Sequence, residues 1–423
     1  MTGAAGNRPR PSRRSILTGA GGLFALTTSA SVGASAGASG AGAPEPAARP
    51  EFWGSYQAGI ATPQQSHTYF MAFDLTATKP AEVAGLLRDW TQAAARLTAG
   101  KTARPLGEDL AAPAPDSAET LGLNSARLTI TFGFGAGLFT KDGVDRYGIG
   151  ARRPEALIDL PRFNGDQLVP AATGGDLSVQ ACADDPQVAF HAVRQLAALA
   201  YGAADVRWAQ SGFLSKPAGR ETPRNLMGFK DGTQRPTVLD KVVWVGDEGP
   251  VWMRGGSYLV ARRIRVALEH WDRTPVGFQE QTMGRHKYSG APLGLKHESD
   301  PLRLDRNDKD GNPVIPENAH VRLANATTND GAEILRRGYS YNDGVNLTAE
   351  RWPPWRQGME YDAGLFFLAY QRDPRSGFVR IFDRMAKFDM LNQYATHVGG
   401  GLFACPPGAR AGEFIGQRLF AGA

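Results

Sequence analysis

The order of predicted elements runs through the chain twice, and this repeat limits the available folds more than any single residue does. His67 to Leu75 reads as a strand, and Lys79 to Ala99 as a helix with Val83, Leu86, Leu87 and Trp90 on one face. Ala126 to Phe134 follows as a strand with Leu128, Ile130, Phe132 and Phe134 alternating. Asp176 to Cys182 is a third strand, Pro186 to Tyr201 a helix opened by Asp185-Pro186, and Val206 to Leu214 a fourth strand. The series β-α-β-β-α-β is the ferredoxin-like order. In the second half Ser257 to Leu268 is a strand, Thr274 to Tyr288 a helix, His320 to Leu323 a short extended piece, and Gly364 to Tyr370 a buried strand. Ser376 to Tyr394 is a helix with Phe378, Ile381, Phe382, Met385 and Phe388 on one stripe, and His397 to Cys405 closes the set. Lys296 to Glu317 is crowded with Asp, Asn, Lys, Gly and Pro and reads as a surface insertion. The predicted architecture is α+β: two ferredoxin-like domains with antiparallel sheets, residues 67–217 and 218–423, joined near Pro217 to Arg224 and preceded by a linker over 44–66.

Residues 1–43 stand apart. Ser12-Arg13-Arg14-Ser15-Ile16-Leu17 precedes an uncharged run from Ile16 to Val32, rich in Gly, Ser and Thr and too short for a membrane span of roughly 20 apolar residues. This is the pattern of a twin-arginine export signal, with cleavage expected near Ala43 or, alternatively, at Ala34-Ser35-Ala36. Removing Arg8, Arg10, Arg13 and Arg14 takes the formal net charge from +5 to +1. The mature part has no basic run interleaved with aromatics, so neither a nucleic-acid partner nor stable membrane insertion is expected. The expected location is extracellular or in the periplasm or cell envelope, with the twin-arginine translocase as a transient partner. Cys182 and Cys405 are the two cysteines; both fall in apolar runs and read as buried free thiols rather than a disulfide framework.

Chemistry concentrates in a few places. Gly228-Phe229-Lys230-Asp231-Gly232-Thr233 puts one carboxylate between two glycines, where backbone can approach a flat ligand closely. Of seven histidines, His191 reads as solvent-facing on its helix, His286 and His297 as surface, and His67, His270 and His397 as capping groups at element ends. His320 remains, in His320-Val321-Arg322-Leu323-Ala324-Asn325. No spacing supports a zinc, di-iron or iron–sulfur site.

Taken in order, the export signal, the Asp231 motif, the His320 motif, Ile334-Leu335-Arg336-Arg337-Gly338-Tyr339-Ser340-Tyr341 and Leu365-Phe366-Phe367-Leu368-Ala369-Tyr370-Gln371-Arg372-Asp373 resemble the dye-decolorizing peroxidases, in particular their exported deferrochelatase/peroxidase branch. The resemblance covers essentially all of the mature chain. It implies one haem b in the C-terminal domain, His320 as the iron ligand, Asp373 as the carboxylate behind that imidazole, and Asp231 with Arg336 as catalytic pair, Arg337 being the neighbour that could be confused with Arg336. Haem contacts are expected from Gly232, Thr233, Gln234, Arg322, Asn325, Ala326, Thr327 and Arg336, with Leu365, Phe367 and Phe382 as walls. Where related chains continue Ala-Asn-Pro-Arg, this one has Ala324-Asn325-Ala326-Thr327, so Arg322 is the expected substitute for the lost propionate contact. The implied activity is reduction of hydrogen peroxide, by way of a high-valent iron, with oxidation of dyes, phenols or other bulky reductants. The alternative is removal of iron from haem with the porphyrin left intact. Tyr339, Tyr341, Trp352, Trp355, Tyr370 and Tyr394 are the candidates for carrying electrons to the surface. Because an aspartate keeps its charge at lower pH than a histidine does its neutrality, an acid optimum is expected.

Overall fold

The computed structural model describes residues 48–217, 219, 221–232, 236, 238–346 and 359–421. The export signal expected over 1–43, Thr233, Gln234, Trp352 and Trp355 lie outside the described residues.

Eight long strands are each built from alternating side chains, so each has two faces to cover. They are β1 (His67–Leu75), β2 (Thr129–Gly135), β3 (Leu177–Ala183), β4 (Ala204–Phe213), β5 (Ser257–Val266), β7 (Tyr339–Asn346), β8 (Glu360–Gln371) and β9 (Ala395–Cys405), and a two-residue strand β6 (Leu335–Arg336) precedes β7. All pair antiparallel, in the order β5-β9-β2-β3-β1-β4-β7-β8-β6, and a further β5–β8 pairing closes the sheet into a barrel-like ring. Strands β6 and β7 lie along one edge of β8 and β5 along the other. The ring has two narrow seams: β2 meets β9 only at Phe134↔Ala404 and Gly135↔Phe403, and β4 meets β7 only at Phe213↔Ser340.

The two faces of the ring carry different cores. Inside, Phe70 of β1 packs on Trp208 of β4, Phe366 of β8 and Phe403 of β9, with ring centroids 5.0, 5.6 and 5.8 Å away. The next residues along β1, Met71 and Phe73, point outward to a second core, where α1 (Pro80–Thr98) and α2 (Pro186–Leu199) lie against β1 and β3. Trp90 of α1 stacks on Phe132 and donates from Nε1 to Leu196 O at 2.8 Å, which ties the two helices together. The predicted starts of these helices are borne out: Asp185 caps α2 through Gln187 N and Val188 N.

Several elements differ from expectation. His320–Leu323 is a helical turn, α4, rather than an extended piece. The helix expected over Thr274 to Tyr288 is shortened to α3 (Val276–Met283), because Gly284 adopts φ +78° and ends it. The long helix expected from Ser376 to Tyr394 is three pieces: a π turn over Arg375–Val379, α5 (Arg380–Phe388) and a 3₁₀ turn over Met390–Gln393. Asp389 makes the break, with extended backbone and a side chain that caps Leu391 N at 2.8 Å. Phe388, placed on the apolar stripe by spacing, is exposed. Both cysteines are free and buried.

His191 is also corrected: it is buried, not solvent-facing. Its ring nitrogens lie 3.4 Å from Asp116 Oδ2 and 3.1 Å from Glu119 Oε2, at ion-pair range. Both acids belong to the long connection between α1 and β2, which covers that part of α2 and which helix periodicity cannot reveal. Asp116 also accepts from Ala103 N at 2.7 Å, so the pair pins this connection to the helix. Burial pushes the Glu119 carboxyl up, but the hydrogen bond from the Ser117 hydroxyl and the nearby His191 imidazole overcome this and hold it at about 2. A carboxyl held below its free value stabilises the fold fully above about pH 4.5, and that contribution fades as pH falls toward about 2. Replacing His191 by Leu leaves buried Asp116 without its counterpart and is expected to cost about 2 kcal/mol in urea unfolding at neutral pH. The same variant is expected to lose less stability than the parent between pH 4.5 and pH 2.

Candidate active site

The outer face of β5, β8 and β9 is not sealed by helices as it is around β1 and β3. Between it, α4 and α5 lies a cavity of about 550 Å³, within the size range of small-ligand and cofactor pockets. Its sheet wall carries Ile264 and Val266 of β5, Leu365 and Phe367 of β8, and Ala395 and His397 of β9; its helical wall carries His320, Val321, Phe378, Ile381, Phe382 and Met385. The three predicted wall residues, Leu365, Phe367 and Phe382, all line it.

His320 opens α4. Its Nδ1 lies 2.7 Å from Oδ2 of Asp389, a carboxylate only 5% exposed. With Nδ1 donating to that oxygen, Nε2 is the ring nitrogen left with a lone pair. The break after α5 explains the partner: Asp389 Oδ1 caps the 3₁₀ turn, and Met390 N donates to Asn318 O at 3.1 Å, which fastens the turn beside α4. Asp389, not Asp373, is thus the carboxylate behind the imidazole. Asp373 faces away, binding Arg375 with N···O distances of 2.8 to 3.1 Å.

Asp231 and Arg336 meet in the same cavity, Oδ1 to Nη1 at 3.4 Å, both partly exposed. The Asp231 loop is a closed turn: Asp231 N donates to Pro223 O at 2.8 Å, and Arg224 pairs with Lys230. Gly228 sits at φ +85°, where a Cβ would lie 2.9 Å from Lys287 Cε, and Gly232 at φ +108°, so neither position accepts another residue without strain. Strand parity separates Arg336 from Arg337. Arg336 pairs opposite Ala369 and faces the cavity, whereas Arg337 turns inward, 4% exposed, to bind Thr62 O and Gln65 Oε1.

Of the other predicted contacts, Gly232, Asn325 and Ala326 line the cavity. Arg322 and Thr327 do not. The Arg322 guanidinium is turned to the connection before α4, donating to Ile315 O at 2.7 Å and Leu304 O at 2.9 Å. Thr327 bonds back to Asn325 Oδ1. Tyr339, Tyr341 and Tyr370 are each no more than 1% exposed inside the ring and cannot meet a bulky substrate directly. Tyr394, 4% exposed, lies beside exposed His270 with centroids 4.9 Å apart.

Sequence reasoning missed Asp389, Arg285 and the position of His397. Asp389 carries no motif beyond an acid after a helical stripe. His397 lies within β9, not at its end; its ring packs on Phe382 at 4.5 Å, and burial, with the Arg262 charge adding, lowers its pKa to about 3. Among the described residues no group of three or more His, Cys, Asp or Glu side chains is arranged to hold a metal ion. Of the two imidazoles that line the cavity, His320 and His397, His320 is the one backed by a carboxylate, and one such imidazole suits a metal that brings its remaining ligands with it.

Comparison with known proteins shows what the whole chain resembles. The family profile "Dyp-type peroxidase, N-terminal" matches residues 57–214 and "Dyp-type peroxidase, C-terminal" residues 222–410. The chain is 38% identical to a dye-decolorizing peroxidase of Thermobifida fusca over the full length of both, and 38% identical to a deferrochelatase of Escherichia coli O157:H7 over 97% of each. The solved structure of ferric DtpA from Streptomyces lividans is 40% identical, with a TM-score of 0.80 over 89% of this chain and 98% of that one. A Dyp-type peroxidase from Cellulomonas bogoriensis is also 40% identical, with a TM-score of 0.77 over 89% and 99%. The chain belongs to the Dyp-type peroxidase family.

Proposed function

We propose that this chain is a haem b peroxidase that reduces hydrogen peroxide at the expense of bulky organic reductants, with His320 as the iron ligand and Asp231 and Arg336 as the catalytic pair. The observation that carries the proposal is the 2.7 Å bond between His320 and buried Asp389 in the cavity that also holds the Asp231–Arg336 pair. We also read the ring as two ferredoxin-like domains, because β4-β1-β3-β2 and β9-β5-β8-β7 repeat one strand order, and the matched profiles divide between residues 214 and 222. The haem belongs to the second of these. Export by the twin-arginine route, to the cell envelope or beyond, follows from Arg13-Arg14 and the uncharged run after them.

The residues fit the group. Apolar walls suit a porphyrin's faces, and His320, which lines the cavity, keeps Nε2 uncommitted because Asp389 takes Nδ1. Haem, when bound, supplies the redox-active iron. Asp389 keeps the proton on His320 Nδ1 and so keeps Nε2 available, and its charge makes the imidazole a stronger donor. Peroxide reduction needs a proton moved from one peroxide oxygen to the other, and an Asp231 carboxylate oxygen can take and return it. Arg336 aligns Asp231 and donates to the oxygen that leaves with negative charge. Leu365 and Phe367 supply apolar wall to the same cavity. Removal of iron from haem is a second reading, favoured by the relatives named deferrochelatase; it would use the same walls, and free protoporphyrin fluorescence after incubation would reveal it.

Peroxide mixing by stopped flow tests the roles. Asp231→Asn is expected to slow the peroxide reaction by about 10²–10⁴-fold and Arg336→Leu by about 10²–10³-fold. In both, the absorbance of bound haem should stay close to that of the parent. His320→Ala should instead change the haem spectrum itself, and an unchanged spectrum overturns the assignment. Asp389→Asn keeps the hydrogen bond without the charge and is expected to cost about 10–100-fold in activity, whereas Asp373→Asn should have little effect.

A further inference from the structure

Three cationic side chains other than histidine line the cavity among the described residues, and two are already matched. Arg336 faces Asp231 at 3.4 Å, and Lys230 binds Glu298 Oε2 at 2.7 Å. Arg285 is the third, and it makes no ion pair with a described residue. It is 8% exposed, follows the left-handed Gly284 that ends α3, and is held by Nη1 alone, which donates to Gly290 O at 2.7 Å and Glu298 O at 3.3 Å. Its Nε and Nη2 have no hydrogen-bond partner among the described residues. Burial lowers its pKa from the ordinary arginine value, opposed by the Glu298 charge. A largely buried guanidinium with one edge open to a cavity is well placed to meet an anion there.

Nε and Nη2 form one edge of the guanidinium, and two parallel N–H groups on one edge match the two oxygens of a carboxylate. The cavity is otherwise largely apolar, so the anion is an acid carried by the cavity's own ligand. Building on the haem reading above, we propose that Arg285 grips a porphyrin propionate side-on, with two hydrogen bonds from Nε and Nη2. This accounts for what the loop after the iron ligand lacks: Thr327 is uncharged and bonded to Asn325, and Arg322 is committed to Ile315 and Leu304. It also makes the connection from α3 to α4 serve the cofactor at both ends, with Arg285 for its acid and His320 for its metal.

The test uses full-length protein reconstituted with iron protoporphyrin IX or with its dimethyl ester, which has no propionate charge. Each holoprotein is mixed with excess apomyoglobin, and loss of the porphyrin is timed by absorbance. Wild type is expected to lose the diester at least tenfold faster than the free acid. Arg285→Leu should lose both at similar, fast rates, and Arg285→Lys, which keeps the charge but not the fork, should fall between. Equal rates for the two porphyrins in wild type, or an undiminished difference in Arg285→Leu, overturns the Arg285 assignment while leaving haem binding intact. If the Leu variant does not fold, the wild-type ratio and the Lys variant still decide. A wild-type chain that takes up neither porphyrin overturns the haem reading, and this inference with it.

Discussion

Side-chain alternation on a closed antiparallel ring governs the rest of this protein. Because each strand sends successive residues to opposite faces, closure sorts every side chain into an aromatic interior or an outer face that another element must cover. On the outer face of β1 and β3, α1 and α2 complete the cover with Trp90, Leu196 and their neighbours. On the outer face of β5, β8 and β9 the helices stand off, and a cavity remains. The site therefore occupies a place that packing fills elsewhere in the same ring. Arg336 and Arg337 show how sharp the sorting is: adjacent in sequence, one reaches Asp231 and the other is sealed among Thr62 and Gln65.

The helical wall is organised around one acid. Asp389 ends α5, caps the following turn and takes the imidazole of His320, so three local requirements are met by one side chain. A continuous helix would carry residue 389 past α4. The break thus converts a regular amphipathic segment into the support of the His320 imidazole, and Met390 N bonding to Asn318 O holds it in place.

Much of this was legible beforehand because it depends on neighbours in sequence. The alternation of Leu128, Ile130, Phe132 and Phe134, the Asp185-Pro186 helix start and the glycines around Asp231 act over a few residues, and the structure bears them out. The resemblance of ordered motifs brought His320, Asp231 and Arg336 to one site before their distances were known. Arg322, Asp373 and His191 were misread for a common reason. Each was placed by motif order or helix face, and each is decided by a segment far along the chain: the connection at Leu304–Ile315 for Arg322, the position of Asp389 for Asp373, and Asp116 with Glu119 for His191.

By itself, the sequence determined the element order, the apolar faces and the small set of residues able to do redox and proton chemistry, since composition and periodicity act locally. Only the tertiary structure decided which carboxylate backs His320, which of Arg336 and Arg337 enters the cavity and which cation there has no anion among the described residues. Those outcomes depend on ring closure and on where a helix breaks, and both are set by contacts between segments tens to hundreds of residues apart.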